Sequence, residues 1–166
     1  MKCCILVVAV TALAVTGCGK KVSESVAEKM IESAMAKDGV KGKVNISDGK
    51  VTVESKDGTT SYAAGAGTKV PDTFPKDVQV YAGAKVMASV SVPNGQNLML
   101  ESGDSIEKIV AFYKGQMSGG GWKEEMSMNQ GESSMLVYKK EQRTVSVVVS
   151  HTGNVTQINL TAAKSN

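Results

Sequence analysis

Apolar residues recur at helical spacing between Ser23 and Lys37, and this pattern predicts an amphipathic helix of about four turns. The opposite face carries Glu24, Glu28 and Glu32 with a single lysine, Lys29. Because anionic headgroups would repel such a face, we expect the helix to pack on the protein body rather than on a membrane. The apolar positions are Val26, Ala27, Met30, Ile31, Ala34 and Met35.

Three short alternating segments after this helix predict a β meander. Asp48-Gly49 and Asp57-Gly58 are two-residue turn signals of the type that joins antiparallel strands. With both turns formed, the apolar residues of all three strands fall on one face, which the first helix would cover. The predicted pairs are Val44 with Val53, Ile46 with Val51, Val53 with Tyr62, and Val51 with Ala64.

Residues 67–77 predict a stiff linker between two units. Gly65 and Gly67 provide flexibility, and Pro71 and Pro75 hold the residues that precede them in extended geometry. The predicted units are therefore residues 23–66, with the helix and the meander, and residues 78–166.

The second unit begins with a hairpin around Pro93-Asn94-Gly95. A two-residue loop at Asn94-Gly95 would bury Ser91 and Ser89 beside leucines, so the sequence favours a three-residue loop that pairs Val90 with Leu98. A helix follows, with Asp104 as its predicted cap. Its expected buried stripe is Ile106, Ile109, Val110, Tyr113 and Met117.

Four further alternating segments, within residues 122–128, 134–139, 144–150 and 155–162, complete the second unit. A loop at Glu141-Gln142 pairs Tyr138 with Val145, and one at Thr152-Gly153 pairs Val147 with Ile158. The predicted fold class is therefore α+β. It consists of a small helix with a three-strand meander, then a separate antiparallel sheet of hairpin, helix and four-strand meander packed on one helix.

The apolar run from Ile5 to Gly17 is too short to cross a membrane as a stable helix. It would span about 20 Å of a hydrocarbon core that is roughly 30 Å thick. Ala12-Leu13-Ala14 fits ordinary secretory cleavage. Val15-Thr16-Gly17-Cys18 instead resembles the lipobox of bacterial lipoprotein precursors, and its position directly after the apolar run favours this second site.

The lipobox resemblance implies cleavage between Gly17 and Cys18 and acylation of Cys18. Residues 1–17 would then be the signal peptide and residues 18–22 a tether, with the acyl chains holding the protein on a membrane. In this family Gly19 after the cysteine favours the outer membrane, on its periplasmic face, over the inner one. We therefore expect a protein of the cell envelope.

Cysteine usage and charge agree with export. All three cysteines lie at or before Cys18, so the body has no thiol for a disulfide once Cys18 is acylated. The net charge is only +3, and the lysines are scattered. Because nucleic-acid binding needs a clustered basic surface, we expect no nucleic-acid partner.

A second resemblance covers the chain from Phe74 to the C-terminus. The segments from Phe74 to Ala84, Val110 to Tyr113 and Gly121 to Lys123 are similar to a module of small exported bacterial proteins and lipoproteins of unknown function. The resemblance implies a shared module and no catalytic residue.

The sequence offers little chemistry. His151 stands at a predicted turn, where a histidine is typically solvated, and no nucleophile elbow, phosphate loop or paired metal ligands occur. We therefore expect no enzyme and no cofactor. Met126 and Met128 share a predicted strand face with Trp122, and Met135 follows. These thioethers could bind Cu(I) or simply fill a core.

The functional hypothesis is a membrane-anchored, non-catalytic binding module. Its partner would be an envelope protein or the cell wall. The alternatives are a carrier of a small apolar ligand in a groove between helix and sheet, and the Cu(I) site.

Overall fold

Nine antiparallel strands form one continuous sheet in the part of the chain that the computed structural model describes, residues 24–37, 42–47, 50–55, 58–65 and 67–164. Two helices accompany the sheet there, α1 (Glu24–Lys37) and α2 (Ile106–Gly119). The predicted leader and tether, including Gly17 and Cys18, lie outside these residues. The strands are β1 (Gly42–Ser47), β2 (Lys50–Ser55), β3 (Gly58–Ala64), β4 (Lys85–Val92), β5 (Gly95–Ser102), β6 (Lys123–Gln130), β7 (Ser133–Lys140), β8 (Arg143–Thr152) and β9 (Val155–Lys164).

The predicted fold class, with its two separate sheets, is wrong. The strand order is β1-β2-β3-β4-β5-β9-β8-β7-β6, and β3 pairs with β4, as Ala64 with Ala88 and Ser61 with Ser91. An unpaired edge of the meander would expose backbone groups, and pairing with β4 satisfies them. The division into domains at residues 66 and 78 remains a prediction. The sheet itself includes strands from both sides of that division.

Helix α2 packs on one face of the sheet, which we call the core face, and lies closest to β8, β7 and β6. Ile109, Tyr113 and Met117 are fully buried there, as predicted, against residues of β5, β7, β8 and β9. Burial raises the pKa of the Tyr113 hydroxyl to about 12, so this phenol is neutral in the core. Asp104 is not the helix cap. Ser105 accepts from the backbone N–H of Lys108, and Asp104 instead accepts from the Tyr81 hydroxyl at 2.7 Å.

Helix α1 shields the free edge of β1 with two glutamates. The backbone N–H of Val44 donates to Glu32 Oε1 at 2.9 Å, and that of Ile46 donates to Glu28 Oε1 at 2.7 Å. The two donors are alternate residues of an edge strand, and the two acceptors lie one helical turn apart. The prediction that these glutamates face away from the body is therefore wrong, because they satisfy edge N–H groups that would otherwise have no strand partner.

Removing these two carboxylates should open the β1 edge. In a Glu28→Ala, Glu32→Ala double variant, we expect the amides of Val44 and Ile46 to exchange with solvent about tenfold faster or more, since a hydrogen bond to a charged group contributes roughly 1.5–3 kcal/mol. Residue-resolved hydrogen exchange measures this. The Glu28→Gln, Glu32→Gln variant keeps an acceptor oxygen at each position and is the matched control. Unchanged exchange in the alanine variant would contradict the shielding role.

Several predicted strand pairs are confirmed and others are displaced by two residues. Val44 opposes Val53 and Tyr138 opposes Val145, as predicted. Val53 meets Thr60 rather than Tyr62, and Val147 meets Leu160 rather than Ile158. In the latter hairpin Gly153 adopts a positive φ of 64°, which places the turn one residue later than predicted. A shift of two residues keeps every side chain on its predicted face.

The predicted three-residue loop at Pro93 is wrong, and this error changes faces. Val92 pairs with Gly95, which leaves a two-residue loop, and a bulge at Met87 interrupts β4. Ser89 therefore opposes Leu98 and Ser91 opposes Gln96 on the core face. Ser89 is buried there beside a leucine, contrary to the expectation from the sequence.

Candidate ligand cleft

Polar residues occupy the core face of the sheet at the end that α2 does not cover. Ser89, Ser91 and Gln96 point there from β4 and β5, and Ser61 adjoins them from β3. Residues 67–78, which we call the covering segment, lie over this part of the face. The sheet and the covering segment thus enclose a polar region where a continuous apolar core would otherwise extend.

The covering segment is fixed by two buried side chains and by an ion pair. Phe74 and Val78 are buried in the main core, and turn hydrogen bonds join Phe74 to Pro71 and Val78 to Pro75. At its end, Asp77 accepts two hydrogen bonds from the Arg143 guanidinium, at 2.8 and 2.7 Å. This bidentate geometry defines the position of the segment against β8.

The same ion pair positions Trp122. The Arg143 guanidinium stacks over the indole ring at 4.9 Å, and Lys140 donates to the Gly120 carbonyl beside it. Hydrogen bonds from Arg143 hold the pKa of the Asp77 carboxyl below its ordinary value of 3.8. A lowered carboxyl pKa stabilises the fold above that ordinary value and loses this effect as the pH falls through the lowered one, so the attachment is intact at neutral pH.

Two adjoining cavities, which share lining residues, lie beside the covering segment. The inner pocket has a volume of about 150 Å³, and the outer cleft has about 870 Å³. Thr73, Val92, Pro93 and Gln96 line both of them. The remaining walls of the inner pocket include Pro75, Trp122, Arg143, Val145, Ala162 and Lys164, and those of the outer cleft include Lys50, Ser61, Lys69, Asp72, Ser89 and Ser91.

Three buried polar atoms beside these cavities have no hydrogen-bond partner among the described residues. They are Nε1 of Trp122 at the inner pocket, Oε1 of Gln96 at the junction and Oγ of Ser91 at the outer cleft. Trp122 is only 5% exposed. A buried polar group left without a partner costs about 1–3 kcal/mol. The Tyr113 hydroxyl, in the packed core under α2, is a fourth described atom of this kind. The other three belong to residues that line the two cavities, where polar groups of another molecule would pair with them.

Charge and shape define what the cavities can hold. The inner pocket has mixed walls, in which apolar residues alternate with polar ones and with the cations Arg143 and Lys164. Its volume matches a group about as large as a benzene ring. The outer cleft is rich in hydroxyls, and Lys50 and Lys69 outnumber Asp72 among its charged residues.

The interface between α2 and the sheet is packed. Ile109 and Tyr113 are 0% exposed, and they contact a core that contains Leu136, Val147 and Leu160, each also at 0%. The helix–sheet groove expected for an apolar ligand is therefore filled by side chains at these positions. The cavities lie instead between the sheet and the covering segment.

The predicted sulfur cluster is divided between two faces of the sheet. A bulge at Glu125 turns Met126 and Met128 to the outer face, opposite α2, whereas Trp122 is buried on the core side. Met128 and Met135 are directly opposed there. A row of cross-strand neighbours continues across this face through Val148, Asn159, Met99 and Ala88. Trp122 fluorescence would therefore be a poor reporter of copper at these thioethers.

The other predicted features have simple surroundings. His151 is exposed at the end of β8, within 3.4 Å of the Val155 carbonyl. Among the described residues, no cluster of three or more His, Cys, Asp or Glu side chains could hold a metal ion. Neither helix that the structure describes is both long and apolar enough to cross a bilayer.

Comparison with known proteins gives a family match in the second half of the chain. Residues 84–162, just under half of the chain, match a family model described as START domain-like. The match begins just before β4, includes α2 and ends within β9. It falls inside the region from Phe74 onward where the sequence predicted a shared module, so that part of the prediction is confirmed. No curated protein and no solved structure matches the chain.

The START-like fold is a helix grip, in which a sheet packs around a helix, rather than the small-helix meander that the sequence suggested. Helix α2 lies against β8, β7 and β6 and shares a core with residues of β5 and β9, and this packing agrees with that description.

Proposed function

We propose that this protein is a lipid-anchored envelope lipoprotein that binds a small molecule, without catalysis, in the inner pocket and outer cleft. The observation that carries the proposal is that three unpartnered buried polar atoms, on Trp122, Gln96 and Ser91, belong to residues that line these two adjoining cavities. The START-like match gives weak additional support for ligand binding.

Polar residues at these positions oppose stability unless something pairs with them. Ser89, Ser91 and Gln96 occupy alternate positions of β4 and β5 on a face whose buried residues are mostly apolar. An apolar side chain there would extend the core and avoid the cost of burying polar atoms. Sites that break the rules of a stable core in this way are typically functional.

The cavity chemistry suggests an amphipathic ligand. Its inner end would carry a carbonyl or hydroxyl oxygen that accepts from Trp122 Nε1, together with a donor for Gln96 Oε1. Its outer part would be hydroxylated or anionic, since Lys50 and Lys69 stand against only Asp72 there. This ligand is more polar than the apolar one expected from the sequence, and it lies beneath the covering segment rather than beneath α2.

The membrane anchor in this proposal comes from the sequence alone. The lipobox at Val15 to Cys18 supports acylation of Cys18, and Gly19 supports the outer membrane. An envelope protein or cell-wall partner is a further part of the same proposal, and so is the absence of enzymatic activity. A Cu(I) site at Met126, Met128 and Met135 is a less favoured alternative.

Replacing Trp122 with phenylalanine should weaken ligand binding. The variant keeps an aromatic ring but loses the Nε1 donor, and one buried hydrogen bond contributes about 1 kcal/mol, so we expect roughly fivefold lower affinity. Native mass spectrometry of the protein released from its host membranes would show a bound small molecule in the wild type and less of it in Trp122→Phe.

The control for this experiment is Met99→Leu on the outer face, which should retain the bound mass. Thermal unfolding of all three proteins would check that the Trp122→Phe variant is folded. A wild type with no bound molecule, or a folded Trp122→Phe variant with undiminished occupancy, would contradict the proposed site.

A further inference from the structure

Helix α1 presents two different faces. Its inner face, with Ala27, Ile31 and Met35, is partly buried against the meander. Its outer face carries Val26 and Met30, which are 48% and 67% exposed. Together with the exposed Ala34, they form a stripe at four-residue spacing, which we call the outer stripe of α1.

Two glutamates of this helix are turned away from the outer stripe. Glu28 and Glu32 turn inward to the β1 edge, where they accept from the N–H groups of Ile46 and Val44. The residues beside the stripe are Lys29 and Ser33. The reason for expecting repulsion from anionic headgroups therefore does not apply to this face, whose described charge is positive.

The outer stripe is also close to the predicted anchor. Helix α1 begins at Glu24, six residues after Cys18. Six fully extended residues span at most about 20 Å, and the acyl chains of Cys18 would hold the first of them at the headgroups. A bilayer surface is thus always within reach of the helix.

We propose that α1 lies on the membrane surface, with the outer stripe of Val26, Met30 and Ala34 among the headgroups and Lys29 at their phosphates. This inference rests on the proposed anchoring at Cys18. It gives the anchored protein a defined orientation, because the inner face of the same helix is attached to the edge of the sheet.

A single fluorescent label can test this orientation. Once Cys18 is acylated, the mature chain has no free thiol, so Met30→Cys supplies one labelling site in the otherwise intact lipoprotein. The labelled protein would be placed in vesicles of phosphatidylethanolamine and phosphatidylglycerol that contain lipids spin-labelled near the headgroup. We expect quenching at position 30 about twofold or more above that of the matched control Gln142→Cys, which labels an exposed turn.

A second variant distinguishes contact of α1 with the membrane surface from anchoring through Cys18. Adding Val26→Glu to the Met30→Cys protein should reduce quenching to the level of the control, and Val26 is exposed enough for the fold to tolerate the change. Equal quenching at positions 30 and 142 in a protein whose intact mass includes acyl chains would overturn the membrane seating alone. An intact mass without acyl chains would overturn the anchoring, and this inference with it.

Discussion

Cys18→Ala is expected to transfer the protein from the membrane fraction to the soluble one. Each buried methylene of an acyl chain contributes about 0.8 kcal/mol, and two or more chains hold a protein on a bilayer almost irreversibly. Without the thiol, the only other predicted cleavage follows Ala14 and leaves no anchor. Detergent phase partitioning and intact mass measure the change, and we expect the detergent-phase fraction to fall roughly a hundredfold.

The control for the anchor is a Cys3→Ala, Cys4→Ala double variant. These cysteines lie in the predicted signal peptide, so their loss should leave both the acyl mass and the membrane fraction unchanged. A Cys18→Ala protein that still partitions like the wild type would contradict the lipoprotein assignment.

Ile109→Ala should lower the free energy of unfolding by about 2–5 kcal/mol. The side chain is 0% exposed between α2 and the sheet, and truncating a large buried residue adds a cavity to the lost burial. The total free energy of unfolding of a domain of this size is only about 5–15 kcal/mol, so the expected loss is a large share of it. Denaturant unfolding measures it.

The matching control is Met99→Ala on the outer face, where the side chain is 46% exposed and its loss should cost less than about 1 kcal/mol. A small effect of Ile109→Ala would indicate an open groove under α2. That result would favour the helix–sheet ligand site expected from the sequence over the cleft.

The alternation of apolar residues predicted the buried faces of β7, β8 and β9 correctly, but it failed for β4 and β6, where a turn or a bulge changes the register. Val145 and Val147 were placed on the core side, yet their partners on β9 are two residues farther along than expected. A two-residue shift leaves the pattern unchanged, so only the turn distinguishes the two registers. The pairing of β3 with β4 was missed because hydrophobic patterns show which face is buried and not which edges meet.

The serines of β4 are the sequence feature that indicates the cleft, but from the sequence alone they are interpreted as evidence for a longer loop. The predicted three-residue loop places Ser89 and Ser91 on the outer face. It was preferred because serine opposite leucine is unfavourable in a core. The structure keeps them on the core face and places the cavities beside them. Helix α1 is a second case in which polar residues were wrongly placed. Helical periodicity predicts that Glu28 and Glu32 face solvent, whereas they accept hydrogen bonds from the edge strand β1.

The most direct test of the account is a crystal structure of the protein purified from its native membranes. We predict electron density for a small organic molecule beneath residues 67–75, with polar atoms at about 2.7–3.2 Å from Nε1 of Trp122 and Oε1 of Gln96. Ordered waters alone at both atoms, in a cleft with no other density, would show that solvent satisfies these groups and would contradict the proposed binding function.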